Sequence, residues 1–190
     1  MSGFDAASKI VLGIEGGVSW DARGGTTVYG HDAASWPDLL RRVPADVRAQ
    51  LPASVSGLTR DTAILAYRAG YWDFCHCDDL PPSLALMLFD AAVNQGPGWA
   101  PRAFQTAVGT GADGVIGPAT IQAAAQADAL DSLCEFGWLR ENRYRQASLW
   151  PSCGHGWIRR LIRVVSLSDC YTQPGVQLAY LPHDGTAAVA

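Results

Sequence analysis

Four side chains able to do acid–base work crowd one short stretch of this sequence, IEGGVSWDARGGTTVYG at residues 14–30: Glu15, Asp21, Thr26 and Thr27. Glu15 stands at the end of an amphipathic pattern and is followed by Gly16 and Gly17. A carboxyl there feels the negative end of a helix dipole and partial desolvation, and both raise its pKa. Held protonated near neutral pH, it has the property required of a general acid. Asp21 follows among small residues, where it ionises more readily. Two carboxylates whose surroundings push their pKa values apart are the working pair of glycosidic-bond hydrolysis, and a threonine hydroxyl can hold a water beside them. The glycines of this stretch let a polymeric ligand approach the backbone closely. The same residues admit a plainer reading, in which Glu15 is a solvated helix end and Asp21 closes an Asx turn.

A second polar pair lies in LALMLFDAAVNQG, where Asp90 and Asn94 stand one helical turn apart in an otherwise apolar segment. Either they satisfy each other and the backbone, or they line a cleft opposite Glu15.

The elements that must position these groups are mostly helical. Ala7, Ile10, Val11 and Ile14 form one apolar stripe over residues 4–15, stopped by Gly16-Gly17. A helix is expected near 36–42, and Thr59 reads as the N-cap of another over 60–72. Pro81-Pro82 introduces the most apolar helix, expected to be central and ended by Gly96-Pro97-Gly98. Further helices are expected over 101–108, after Gly117 with Pro118 at the first position, over 129–148, and over 156–167. No segment alternates for long, so the expected fold class is all-α and lysozyme-like, with at most a small β-hairpin near residues 18–31. The expected division is a catalytic lobe over 1–80, a helical region over 81–167 packed on it as one body, and a tail over 168–190.

With 190 residues, 48% apolar and 17% charged, the chain has material for one packed body. Its seven Trp and six Tyr suit either a core or stacking on sugar faces. Six arginines between 134 and 165 (Arg140, Arg143, Arg145, Arg159, Arg160 and Arg163) face only Glu135 and Glu141, which reads as a solvated basic face or a surface steering the chain to an anionic polymer. A pI near 5.4 and the lack of a nucleic-acid motif argue against nucleic acid as a partner. No stretch approaches a membrane span, so no stable membrane association is expected. The amino terminus lacks the basic flank and apolar run of a signal peptide. Five cysteines at irregular spacing, with Cys75 and Cys77 lacking a matching second pair, read as reduced structural thiols. No metal or other cofactor is expected.

Together these segments resemble glycoside hydrolase family 108, the lysozyme-like muramidases common in phage endolysins. Its opening motif, E-G-G then D-x-G-G-x-T-x-x-G, stands here as Glu15-Gly16-Gly17 and Gly24-Gly25-Thr26-Thr27-Val28-Tyr29-Gly30. YRAGYW at 67–72, LPPSLALMLFDAAVNQGPGWA at 80–100, DGVIGPAT at 113–120, RENRY at 140–144 and GHGWIRRL at 154–161 extend the likeness over roughly residues 7–165. The resemblance implies cleavage of the β-1,4 bond between N-acetylmuramic acid and N-acetylglucosamine in peptidoglycan, with a C-terminal peptidoglycan-binding region. It assigns the catalytic glutamate to Glu15, the threonine after the second Gly-Gly to Thr27, and the helix asparagine to Asn94. The family aspartate falls two positions before that Gly-Gly, where this chain has Ala22, so either the neighbouring Asp21 takes the role through a shortened loop or catalysis relies on Glu15 with little help. Catalysis is thus expected from Glu15, Asp21 and Thr27, and substrate binding from Thr26, Tyr29, Asp90, Asn94 and Gln95. The expected partners are peptidoglycan glycan strands, met by a monomer made in a host or bacterial cytoplasm and acting at the wall after holin-type release. A lytic transglycosylase and a non-catalytic wall binder are the rival readings.

Overall fold

A computed structural model describes residues 3–15, 19–21 and 25–170, with side chains described at 3–11 and 27–170. The chain opens with helix α1 (Gly3–Glu15) and a sheet of three short strands, β1 (Ser19–Asp21), β2 (Gly25–Val28) and β3 (His31–Asp32). Helices α2 (Trp36–Arg42), α3 (Ala45–Arg48) and α4 (Arg60–Tyr67) follow, and α4 passes directly into a π turn over Arg68–Asp73. The remainder is α5 (Pro82–Gln95), α6 (Ala100–Ala107), α7 (Pro118–Gln126), α8 (Ala129–Gln146) and α9 (Trp150–Cys170). The fold is all-α and lysozyme-like, as expected. Among the described residues no helix is long and apolar enough to cross a membrane.

Local chemistry sets most of the boundaries. Thr59 and Thr62 form a reciprocal capping box at the start of α4: the Thr59 hydroxyl accepts from the Thr62 amide, and the Thr62 hydroxyl from the Thr59 amide. The Asp128 carboxylate accepts from the Asp131 amide at 2.9 Å and caps α8. Proline stands in the first turn of α2, α5, α6 and α7, where its missing N–H costs no helical bond.

The strands run antiparallel in the order β1-β2-β3, with Ser19 opposite Thr27, Asp21 opposite Gly25, and Val28 opposite His31. Tyr29 and Gly30 make the second turn with φ of 50° and 79°. Both central residues of a two-residue hairpin turn must adopt positive φ if the turn is to match the twist of its strands. The Tyr67 hydroxyl donates to the Tyr29 carbonyl at 2.8 Å, which ties this turn to α4.

Helix α5 is buried nearly all round, from Leu84 through Phe89 to Ala92, and it packs against α1, α6, α8 and α9. The Phe89 ring meets Phe4, Trp72 and Tyr67 edge-on at 5.4–6.3 Å. The expected apolar stripe of α1 holds at Ala7, Ile10 and Val11, all buried.

Two boundaries differ from expectation. The helix begun at Thr59 was expected to reach residue 72, but regular α-structure stops at Tyr67. Gly70, inside the π turn, lets Leu39 of α2 approach so closely that an added Cβ would lie 3.0 Å from Leu39 Cγ. The final helix starts at Trp150 rather than 156 and runs through 168 to Cys170. Gly154, inside this helix, is a seat for the Trp150 ring, where a Cβ would come within 2.8 Å. The expected tail from 171 to 190 lies outside the described residues.

Candidate active site

A polar cleft of about 310 Å³ opens between the sheet and the C-terminal end of α5. Gly30 and Asp32 form one wall and Asn94, Gln95 and Gly96 the other. Arg42 and Tyr71 lie between them. The π turn matters here: it is the element that brings Tyr71 to the cleft while Trp72 packs into the core against Phe4 and Phe89.

On the sheet side, Thr27 is half-buried on β2, between Ser19 of β1 and Asp32 of β3. Tyr29 is half-buried at the turn and is held through its carbonyl. Asp32 is fixed in place: its Oδ1 accepts from the Ala34 and Ser35 amides, both at 2.9 Å, and its other oxygen from the Ser35 hydroxyl. Burial alone would raise its pKa, but these hydrogen bonds outweigh that and hold it below the usual carboxylate value.

Beneath the strand, His31 is 2% exposed inside an aromatic box. Its ring lies 4.3 Å from Tyr67, 5.3 Å from Trp36 and 6.1 Å from Tyr71. One ring nitrogen bonds the Ala63 backbone, whereas Nε2 is buried without a hydrogen-bond partner. Burial lowers the His31 pKa to about 4, so the ring is neutral at pH 7.

Arg42 closes α2 with its guanidinium over the rings of Tyr71 and Phe74, 5.6 Å from each centroid. Burial lowers its pKa from the ordinary value, countered in part by Tyr71. No carboxylate among the described residues forms an ion pair with it.

The far wall corrects one expectation. Asp90 is wholly buried and has no surface to offer a substrate. Its Oδ2 accepts from Arg140 Nη2 at 2.6 Å and its Oδ1 from Arg160 Nη2 at 2.7 Å. Burial pushes its carboxyl up, yet the two guanidiniums prevail and hold it below the usual range. Gln95 is also mostly buried, with Arg140 donating to its Oε1 at 2.7 Å and its amide donating to the Arg140 carbonyl at 3.0 Å. Its side chain therefore locks α5 to α8, while its backbone edges the cleft. Asn94 remains half-buried at the cleft and accepts from the Tyr144 hydroxyl through Oδ1. Asp90 and Asn94 thus do not satisfy each other; each has its own partner on α8.

The arginine-rich segment is not one solvated face. Arg140 has no exposure and Arg160 only 9%, and both serve Asp90, while Arg143, Arg145, Arg159 and Arg163 are exposed. His31, Arg42, Tyr71 and Tyr144 were not singled out from sequence. The YRAGYW and RENRY motifs carried two of them, whereas His31 and Arg42 lie in stretches without a periodic or motif signal. The side chains of Glu15, Asp21 and Thr26 lie outside the described residues. Their backbones place Glu15 as the last residue of α1, with Asp21 and Thr26 on neighbouring strands.

Comparison with known proteins bears on this geometry. Residues 8–96, the segment that carries both walls of the cleft, match the family model described as Glycosyl hydrolase 108. No curated protein matches the chain. Among solved structures, that of Brucella abortus SagA is similar, with a TM-score of 0.78 and 28% identity, over 90% of this chain and 97% of that one. Residues 8–96 are thus a glycosyl hydrolase 108 region, which makes this chain a glycoside hydrolase acting on peptidoglycan.

Proposed function

We propose that the enzyme is an N-acetylmuramidase, cutting the β-1,4 bond between N-acetylmuramic acid and N-acetylglucosamine, and that it serves as a phage endolysin in host lysis. The observation that carries this reading is the polar cleft on the family-matched segment, with Asn94 on one wall and the Thr27-paired strand β3 on the other. In this mechanism Glu15 protonates the leaving glycosidic oxygen. Asp21 and Thr27 position a water on the opposite sugar face, so that the anomeric centre inverts, a geometry that requires carboxyl groups about 6.5–9.5 Å apart. Thr26, Tyr29 and Asn94 contact the strand. Residues 1–80 act as the catalytic lobe and 81–167 as a peptidoglycan-binding region packed on it, with α5 shared by lobe and cleft. The enzyme works as a monomer, is made in the cytoplasm and reaches the wall after holin-type release.

The test is turbidity clearing of purified sacculi by wild type, Glu15→Gln and Asp21→Asn, with mass spectra of the products. Loss of a general acid lowers the rate about 100-fold or more, so Glu15→Gln is expected to clear at no more than about 1% of the wild-type rate. Reducing, hydrated product ends support the muramidase. Anhydro-muramic ends would replace it with a transglycosylase, and binding without clearing would leave a wall-binding protein.

A further inference from the structure

Arg42 is the cleft's unexplained charge. It ends α2, is half-buried, lines the cleft together with Asn94, and rests on the rings of Tyr71 and Phe74. The two carboxylates of the described lining are otherwise engaged: Asp38 pairs with Arg41, and Asp32 is held by the Ala34 and Ser35 amides and the Ser35 hydroxyl. The Nε of Arg42 is buried without a hydrogen-bond partner, and the Tyr71 hydroxyl is the acceptor its guanidinium has within the cleft. Stripping water from a guanidinium is costly unless an anion or hydrogen-bond acceptors replace it. At the opposite wall Arg143 donates to the Gln95 carbonyl at 3.2 Å and sets a second positive charge beside the Asn94–Gln95 end of α5. The cleft therefore offers a partly dehydrated, aromatic-backed cation with further positive charge behind the facing wall. Such a place suits a carboxylate carried by the ligand.

We propose that Arg42 is a specificity-determining residue that binds a carboxylate on the muramyl side of the substrate strand. The inference rests on the peptidoglycan reading of the cleft. A neutral N-acetylglucosamine unit bears no such group. A muramyl unit does, as its lactyl carboxylate when the stem peptide is removed, or as a carboxylate of the stem when it is present. The cation–π seat on Tyr71 and Phe74 holds the guanidinium in place before the ligand arrives, so little side-chain freedom is lost on binding.

The experiment measures KM and kcat of wild type, Arg42→Gln and Arg42→Lys on four substrates: intact sacculi, amidase-stripped glycan strands, and each of these with carboxylates converted to primary amides. Wild type is expected to show a KM about tenfold higher on the amidated form of whichever substrate carries the recognised carboxylate, at near-constant kcat. Arg42→Gln is expected to have that same raised KM on both forms. Arg42→Lys, which keeps the charge and much of the stem, retains part of the discrimination and provides the comparison if Arg42→Gln folds poorly. Discrimination on stripped strands identifies the lactyl carboxylate, and discrimination on sacculi alone identifies the stem. Indifference of wild type to amidation on both substrates overturns the proposal, as does an equal loss by Arg42→Gln on amidated and unmodified strands. Failure of wild type to cut any of the four substrates would instead overturn the peptidoglycan reading on which the proposal stands.

Discussion

His31 gives this fold an acid-labile point directly under the cleft wall. Its pKa is 6.5 in an unfolded chain and about 4 in the aromatic box, because burial disfavours the charged ring. Between those values the unfolded state binds a proton that the folded state refuses, so stability must fall as the pH falls. The contribution is intact above pH 6.5 and is lost progressively down to about pH 4. Each pH unit across that gap costs about 1.4 kcal/mol, which gives a loss of about 3 kcal/mol by pH 4. For a chain of this length that corresponds to roughly 6–12 °C in melting temperature. The depressed carboxylates, Asp32 and Asp90, titrate below their ordinary value of 3.8, so their losses come at lower pH. Urea denaturation at pH 7, 5.5 and 4.5 measures the slope, and His31→Phe, which fits an aromatic site but cannot titrate, isolates the histidine's share. Wild type is expected to lose about 2–3 kcal/mol more than His31→Phe between pH 7 and 4.5. Parallel slopes for the two proteins would refute the reasoning. Because β3 carries both His31 and the cleft residue Asp32, activity is expected to fall over the same window.

Two further outcomes follow from the α5–α8–α9 network. Asp90→Asn removes the counter-charge of Arg140 and Arg160 and is expected to destabilise the fold by about 3–5 kcal/mol in urea denaturation, with a loss under 1 kcal/mol contradicting a buried ion triad. Tyr144→Phe deletes the hydroxyl that donates to Asn94 and receives from Arg140. It is expected to cost about 1–2 kcal/mol of stability and to lower kcat/KM on sacculi, and an unchanged kcat/KM would remove Asn94's orientation from the argument.

The segments themselves were legible in the sequence because the signals that set them act over a few residues. Thr59 announces the start of α4, Gly117-Pro118 that of α7, and the stripe Ala7, Ile10 and Val11 the buried face of α1. The family resemblance reached further and named Glu15, Thr27 and Asn94, since a motif preserves residue order where physical periodicity says nothing. Glycine inside a helix carried less in the sequence: Gly70 and Gly154 are sites of close approach to Leu39 and Trp150, a role that depends on what lies opposite.

The partners of buried polar groups were decided only in three dimensions. Sequence left Asp90 either bonded to Asn94 or facing a cleft; its actual partners stand 50 and 70 residues away, on helices whose own patterns show only scattered arginines. His31 and Arg42 gave no signal at all, because a neutral buried imidazole and an aromatic-backed guanidinium are defined by Trp36, Tyr67, Tyr71 and Phe74 converging on them. Helix identity, most boundaries and the central apolar segment were set by the sequence through short-range backbone chemistry. Which charges are buried, which pair, and which are left to meet a ligand was set by the packing, since desolvation and Coulomb energies depend on distances through space rather than along the chain.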